Sequence, residues 1–404
     1  MNVALIFGGR SPEHEVSIVT AHQVNAALAE THEVIPIYIT KEGAWLTGDK
    51  LKELNTFTEG NLPRTSDFDT VSVEFETHAK FSVLPKRSGL FSKKKELPID
   101  VVFPAIHGVH GEDGSLQGFL ELMDIPYVGA SVVGSGVGMD KIMMKAVLSE
   151  NELPILPYVP FTKHNWDSAS NDVLAIIKEK MSFPVYVKPA VSGSSIGVSQ
   201  ARDEDELRDA IELACRYYRR IVVEQGIENG FEINCSVMGT HTPTPSVCEQ
   251  PIASTDFLSF DDKYIHQNSE SEDAPDVSSG MAGAQREIPA PIPEELTLHI
   301  QNLATLAFQV LDCAGIARID FLVSDEEQVY VNEINTIPGS FSFYLWEPAG
   351  IPFPELVSQL VDLALETHHE KNRLIYSYST NLLSQAGASF AKLKTDNLES
   401  EETG

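Results

Sequence analysis

Basic residues are scarce in this 404-residue chain: 29 Lys and Arg stand against 59 Asp and Glu, a formal net charge of −30. That deficit argues against nucleic acid or an anionic membrane as partner, since both are held by excess positive charge. It does not oppose a small phosphate ligand, which local cations and backbone N–H groups decide. Cysteine is scarce too. The four, at 215, 235, 248 and 313, form no CxxC pair and no disulfide framework, so they are expected to be buried thiols of a reducing compartment. No apolar run approaches the ~18 residues of a membrane helix. The start, Met-Asn-Val-Ala-Leu-Ile-Phe, shows no basic stretch followed by an apolar core and cleavage site. The expectation is a soluble cytoplasmic protein with neither a nucleic-acid nor a membrane partner. The rest is ordinary: 42% hydrophobic and 22% charged residues, in a length that suits two or three domains.

Val3–Phe7 and Val34–Ile39 are short apolar runs flanking a helical pattern over Glu13–Leu28, a βαβ opening typical of a parallel sheet. Residues 48–97 are polar and weakly periodic and are expected to be an insertion or excursion of that domain, with Val101–Ile106 returning to the sheet and Leu116–Met123 helical. After the glycine-rich stretch 129–138, helices are expected at Met139–Glu150 and Glu204–Tyr218 and strands at Pro184–Pro189 and Ile221–Gln225. The remainder carries strands at 231–238 and 316–335 and helices near 293–312 and 354–366. A Ser/Glu/Asp/Gly-rich loop, 268–285, has no periodicity, and loops of that length are functional lids or disordered. The tail beyond 370 has little apolar pattern, and 396–404 is expected to fray.

The segments Ile316–Val323 and Gln328–Asn335, separated by Ser324-Asp325-Glu326-Glu327, read as a β-hairpin. With the turn centred between Glu326 and Glu327, Asp320 lies opposite Glu333 and Arg318 opposite Asn335, all on one face, with Ile319 and Ile334 on the other. Paired Cβ atoms are about 4.5–5.5 Å apart. Two carboxylates that close repel unless a cation or a proton lies between them. The all-oxygen set Asp320, Glu333 and Asn335 suits Mg²⁺ shared with substrate phosphates. A cross-strand salt pair on a solvated face is the other reading.

Gly193-Ser194-Ser195-Ile196-Gly197 follows the strand ending at Lys188-Pro189, so its N–H groups and hydroxyls can cover a phosphate, with Lys188 as a point charge. A surface hairpin with an exposed lysine remains open. Lys141 begins a helix, where phosphate finds free N–H donors; a solvated lysine, the usual case on a helix, is the other reading. Gly134–Gly138 has the wrong spacing for a dinucleotide fingerprint. His107-Gly108-Val109-His110-Gly111-Glu112-Asp113-Gly114 implies close backbone approach to something, with Asp113 or Ser115 capping the next helix; it lacks the ligands for zinc. Glu13 begins the first helix, where an acid is favoured by the dipole or serves to hold a substrate ammonium. Glu224-Gln225-Gly226-Ile227 ends a strand and can hold an adenine through its backbone, with Glu224 and Glu232 available to amine or ribose hydroxyls.

Together these segments resemble the D-alanine–D-alanine ligases of the ATP-grasp superfamily. The likeness runs in order through Phe7–Ser17, His107–Gly114, Met139-Asp140-Lys141, Lys188–Gly197, Lys263-Tyr264, Arg318-Ile319-Asp320 and Glu333–Gly339. Regions 48–97, 268–285 and 370–404 lie outside it. The resemblance implies an α/β (α+β ATP-grasp) fold: an N-terminal Rossmann-like parallel-sheet domain (1–134), two ATP-grasp subdomains (135–223 and 224–370, the latter with a lid loop 265–285) and a C-terminal extension (371–404). It implies ATP as co-substrate, two Mg²⁺ ions or Mn²⁺ held by Asp320, Glu333 and Asn335, and a homodimer.

The same likeness implies a catalytic set of Glu13, Ser194, Tyr264, Arg318 and Gly339. ATP would be bound by Lys141, Lys188, Ser195, Glu224, Ile227, Glu232 and Lys263, and substrate by Glu13, Val16, Ser17, His107, Tyr344 and Leu345. The implied reaction joins two D-alanines through an acyl phosphate for peptidoglycan synthesis. Tyr344-Leu345 stands where family members generally have a Ser-Leu pair, which leaves D-serine or D-lactate as alternative second substrates. A nucleotide-binding sensor without catalysis is the more distant rival.

Overall fold

The opening strand β1 (Asn2–Gly8) pairs in parallel on both sides, with β2 (Glu33–Ile39) and β7 (Val101–Pro104), while α1 (His14–Leu28) makes the crossover. A strand covered on both faces needs a continuous apolar run, which Val3 to Phe7 supply. The chain leaves β1 through Gly8 in the left-handed region (φ 86°), where a Cβ would lie 2.4 Å from the Ile39 carbonyl oxygen. The computed structural model describes residues 1–57, 62–75, 79–84, 95–252, 285–377, 379–380, 382–383 and 386.

The described strands within 48–97, a region expected as an insertion or excursion of the first domain, instead extend the first sheet. β3 (Trp45–Thr47), β4 (Asp69–Phe75), β5 (Ala79–Leu84) and β6 (Lys95–Glu96) add to β2 by antiparallel pairing, giving the order β6-β5-β4-β3-β2-β1-β7. These strands bury few apolar side chains, here Val71, Phe81 and Val83 with Ser82 between the last two, so their sequence carries a weaker apolar signal than β1 or β7.

A second sheet has the order β10-β9-β11-β8, with β8 at Tyr158–Thr162, β9 at Val185–Pro189, β10 at Ser199–Ala201 and β11 at Arg220–Gln225. Two helices, α5 (Lys163–Lys180) and α6 (Glu204–Tyr217), contribute Trp166, Leu174, Leu207 and Ile211 to its core. Sequence reasoning does not anticipate α5, which is largely polar but starts with a Thr162–Asn165 capping box. The third sheet runs β14-β13-β12-β15-β16, from β12 (Phe231–Gly239), β13 (Thr244–Pro251), β14 (Arg286–Glu287), β15 (Gly315–Val323) and β16 (Val329–Asn335). Its core takes Met144 and Leu148 from the helix Lys141–Glu150 and Ile300, Ala304 and Phe308 from the helix Glu294–Val310.

Two compact units are present, Met1–Thr367, which carries all three sheets, and His368–Gly404. In the second, Asn372 N–H donates to the His368 carbonyl at 3.0 Å; the segment 396–404 lies outside the described residues. Among the described residues no helix is long and apolar enough to cross a membrane.

All four cysteines are free, three of them buried and Cys215 half-buried. Burial pushes the Cys313 thiol up to about 12. An aromatic disulfide reagent at about pH 8 should therefore modify the native protein slowly at Cys215 alone, and all four thiols after unfolding in guanidinium, counted by released thiolate.

Candidate active site

The β15–β16 ladder pairs Arg318 with Asn335, Ile319 with Ile334 and Asp320 with Glu333, the rungs expected from the sequence. Ile319 and Ile334 enter the core of the third sheet, so the four polar side chains share the opposite face. Beyond Asp320 the register slips and Phe321 pairs with Val331, which leaves Asn332 as the extra residue of a β-bulge. Consequently Asn332 and Glu333 are both half-buried instead of alternating between solvent and core.

Cations resolve the repulsion between the two acids. Arg318 grips the Asp320 carboxylate with two bonds, Nε to Oδ1 at 2.7 Å and Nη2 to Oδ2 at 2.8 Å. Asn335 Nδ2 adds a third at 3.0 Å, an orientation that turns its Oδ1 away from Asp320. Glu333 faces Lys141, whose Nζ lies 3.3 Å from Oε2 and donates to the Ser192 carbonyl at 2.9 Å. Lys141 is aimed by the residue before it. The Asp140 carboxylate accepts from the Ile142 and Met143 N–H groups to cap α4 (Lys141–Glu150), and Arg220 Nη1 meets it at 2.5 Å.

A second charged group adjoins the first. Lys188 Nζ donates to Glu224 Oε2 at 2.8 Å and to Asn332 Oδ1 at 3.1 Å, and Glu224 Oε1 lies 3.4 Å from Lys145 Nζ. Burial acts to raise the Glu224 carboxyl, yet Lys145 and Lys188 outweigh it and hold it below the usual carboxylate range. Burial acts to lower Lys188, but Glu224 overcomes it and the ammonium is raised. At Lys145 burial prevails over the attraction of Glu224, and its value falls below that of an ordinary lysine.

The loop after β9 turns through Ser194 and Ser195, both left-handed (φ 50° and 59°). Its Ser194 hydroxyl donates to the buried Glu13 carboxylate at the head of α1. A Cβ on Gly108 or Gly193 would fall 2.3 or 2.5 Å from Glu13 Oε2, so for Gly108 the close approach expected of the His107–Gly114 loop is to this carboxylate. His107 shares a proton with Thr20 Oγ1 (Nε2 at 2.8 Å) and lies 3.5 Å from Glu112 through Nδ1. Asp113 accepts from the Ser115 N–H at the start of α2 (Ser115–Leu122). After Pro338, the residues Ser340, Phe341 and Ser342 are all left-handed (φ 53°, 49° and 49°), a strained run for residues with side chains. Phe341 anchors it against Phe103, ring centroids 4.9 Å apart.

One cavity gathers Glu13, His107, Ser194, Lys141, Glu333, Asn335, Arg318 and Gly339. Asp320 stands behind Arg318 and does not line it. Val16 and Ser17 do not line it either: Ser17 Oγ accepts from Gly8 N–H and donates to the Ala105 carbonyl. Leu345 is fully buried, and the Tyr344 ring lies beneath the Arg286 guanidinium (3.9 Å to its centroid), its hydroxyl 3.5 Å from Glu249. Ile227 follows β11, Glu232 lies on β12, and Ser195 is half-buried. Lys263, Tyr264 and the loop through 284 fall outside the described residues.

Sequence reasoning missed Asn332, Lys145 and the Asp140–Arg220 pair. Lys145 alone carried a usable signal, one helical turn beyond Lys141 and on its face. Among the described residues no group of three or more His, Cys, Asp or Glu side chains is arranged to hold a metal. Glu333 and Asn335 bring oxygen donors to the cavity, a partial shell that fits a hard divalent cation shared with ligand oxygens; Asp320 joins it only by releasing Arg318 or Asn335, which take both its oxygens.

The family model described as D-ala D-ala ligase N-terminus matches residues 2–130, and the one described as D-ala D-ala ligase C-terminus matches residues 147–362. The chain is 38% identical to a D-alanine–D-alanine ligase of Thermosipho africanus over 95% of its own length and 98% of that protein. It is 37% identical to one from Natranaerobius thermophilus, over 92% and 97%. Among solved structures it is similar to the D-alanine-D-alanine ligase of Coxiella burnetii (TM-score 0.76, 29% identity, 92% of this chain and 96% of that one). It is also similar to the VanG D-Ala:D-Ser ligase of Enterococcus faecalis (TM-score 0.73, 28% identity, 90% and 99%).

Asp140→Ala removes a helix cap and the partner of Arg220, and should cost about 1–2 kcal/mol in urea unfolding, whereas a cap-retaining Asp140→Asn should cost about half of that.

Proposed function

The chain belongs to the D-alanine–D-alanine ligase family, and from that premise we propose how its side chains divide the work. It is an ATP-dependent ligase that joins two D-alanines, giving D-alanyl-D-alanine, ADP and phosphate, a reaction of peptidoglycan synthesis. A D-serine or D-lactate second substrate is not favoured, because the curated relatives are D-alanine–D-alanine ligases.

The observation that carries the division of roles is the convergence of Glu13–Ser194, Lys141–Glu333 and Arg318 on one cavity. Glu13 holds the first D-alanine by its ammonium and is oriented by the Ser194 hydroxyl. Val16, Ser17 and His107 support that end of the pocket, Ser17 by fixing α1 to β1 and His107 through Thr20. The substrate carboxylate attacks the γ-phosphate, forming an acyl phosphate and releasing ADP. The amine of the second D-alanine then attacks the acyl carbon and expels phosphate. Lys141 and Lys188 supply positive charge along the path of the phosphoryl group. Arg318, held by Asp320, and the Gly339 N–H face the oxyanion of the tetrahedral intermediate. Tyr344 and Leu345 shape the second-substrate side through packing.

Asp320, Glu333 and Asn335 would hold Mg²⁺, two ions in this reading or Mn²⁺ in its place. Bound there, the metal supplies charge neutralisation of the β- and γ-phosphates. Ser195, Glu224, Ile227, Glu232 and Lys263 bind the nucleotide, and Tyr264 with the loop 265–285 covers the acyl phosphate from water. The first division is placed ahead of the helix Val132–Met139, which a boundary at 134 would cut, and the next past Gln225 because β11 belongs to the second sheet; residues from 371 form the extension. A cytoplasmic homodimer completes the proposal.

Phosphate release measured with ATP, Mg²⁺ and D-alanine tests it. Glu333→Gln should release phosphate at least about a hundredfold more slowly. Parent-like release in that variant, or release by the parent without any D-amino acid, would overturn the assignment.

A further inference from the structure

Among the described residues Lys145 is the largest charged side chain fully withdrawn from solvent, and the reaction above gives it no task. It projects from α4 between the second and third sheets and lies 5.9 Å from the centre of the Tyr158 ring. A buried ammonium is costly unless an opposite charge accompanies it. Here the accompanying charge is Glu224, 3.4 Å away, and neither Lys145 Nζ nor Glu224 Oε1 has a closer hydrogen-bond partner. The other oxygen of Glu224 is taken by Lys188 at 2.8 Å.

Lys188 also has a second engagement, with Asn332, and in the reading above it serves the nucleotide phosphates. When Lys188 is drawn to phosphate, Glu224 keeps one resident counter-charge. We propose that Lys145 is a positioning residue for nucleotide-base selectivity: it fixes the Glu224 carboxylate as a pure hydrogen-bond acceptor aimed at the amino group of adenine. A carboxylate that only accepts favours a purine bearing an amine at the six-position and rejects one bearing a carbonyl there. Without Lys145 the buried acid takes a proton once Lys188 turns away, becomes a donor as well, and loses that discrimination. The inference rests on Glu224 facing the base in the proposed ATP site.

The experiment compares ATP with inosine triphosphate, whose base carries a carbonyl in place of the amine, in the full-length enzyme. Lys145→Met keeps the side-chain length and removes the charge. It should raise KM for ATP by about ten- to a hundredfold, the loss of one charge-assisted hydrogen bond, and leave KM for D-alanine unchanged. The preference for ATP over inosine triphosphate should fall by a similar factor. The double variant Lys145→Met/Glu224→Gln also strips buried Lys188 of its acid, so its Tm should fall below that of Lys145→Met while the base preference stays low. Equal losses for both nucleotides and for D-alanine, with the preference intact, would make Lys145 merely structural and overturn the proposal. A parent that does not distinguish the nucleotides, or a Glu224→Gln variant with parent-like KM for ATP, would remove Glu224 from the base and the inference with it. Phosphate release dependent on D-alanine and sensitive to Glu333→Gln would still stand in that case.

Discussion

Two carboxylates opposed across one rung of a ladder repel each other, and the site is organised by how the chain compensates them. Asp320 is satisfied internally, by a two-pronged bond from Arg318 and a third contact from Asn335. Glu333 is compensated from outside the sheet, by a lysine on a helix whose own cap is tied to the second sheet through Arg220. One acid thus sets the direction of an arginine, and the other draws a helix terminus to the edge of the cavity. Neither arrangement works alone, because each cation is itself buried and needs its acid. The cavity lining is therefore a balanced set of charges contributed by β15, β16 and α4, and the Gly193 loop and Glu13 close it from the far side.

The rungs of the hairpin were legible because two apolar runs of matching length flank a short polar break, and register follows from counting. The bulge at Asn332 was not, since no glycine or proline marks it; it follows from tertiary pairing with Lys188. The extended first sheet was hidden for a different reason. Strands that bury few apolar side chains, such as Asp69–Phe75, carry a weaker apolar signal than a central strand. The glycines of the His107–Gly114 loop announced a close approach, but only the fold shows that the neighbour of Gly108 is Glu13, far away in sequence. For Lys145, a lysine in a helix is usually solvated, so its burial depended on the packing of Met144 and Leu148 into the third sheet.

Strain and rigidity meet in the run after Pro338. Three consecutive left-handed residues with side chains cost roughly 1–3 kcal/mol each, and they persist because their surroundings over-determine them. Phe341 fills the core beside Phe103, the Trp346 indole N–H bonds to Ser236 at 3.1 Å, and the Ser340 N–H meets Thr20, which also holds His107. The Gly339 N–H is consequently presented by a segment locked from three directions, which suits a donor that must be in place before charge develops.

Lys141 and Arg318 of this cavity sit inside a molecule of formal net charge −30. A polyphosphate approaching from solution meets a repulsive far field before it reaches the attractive interior. Ions in the medium shorten the reach of the first effect over about 10 Å or less at ordinary ionic strength but penetrate poorly to the second. Added salt thus lowers the barrier to encounter while leaving the grip largely intact, the reverse of what holds for proteins that lure anions with a basic surface.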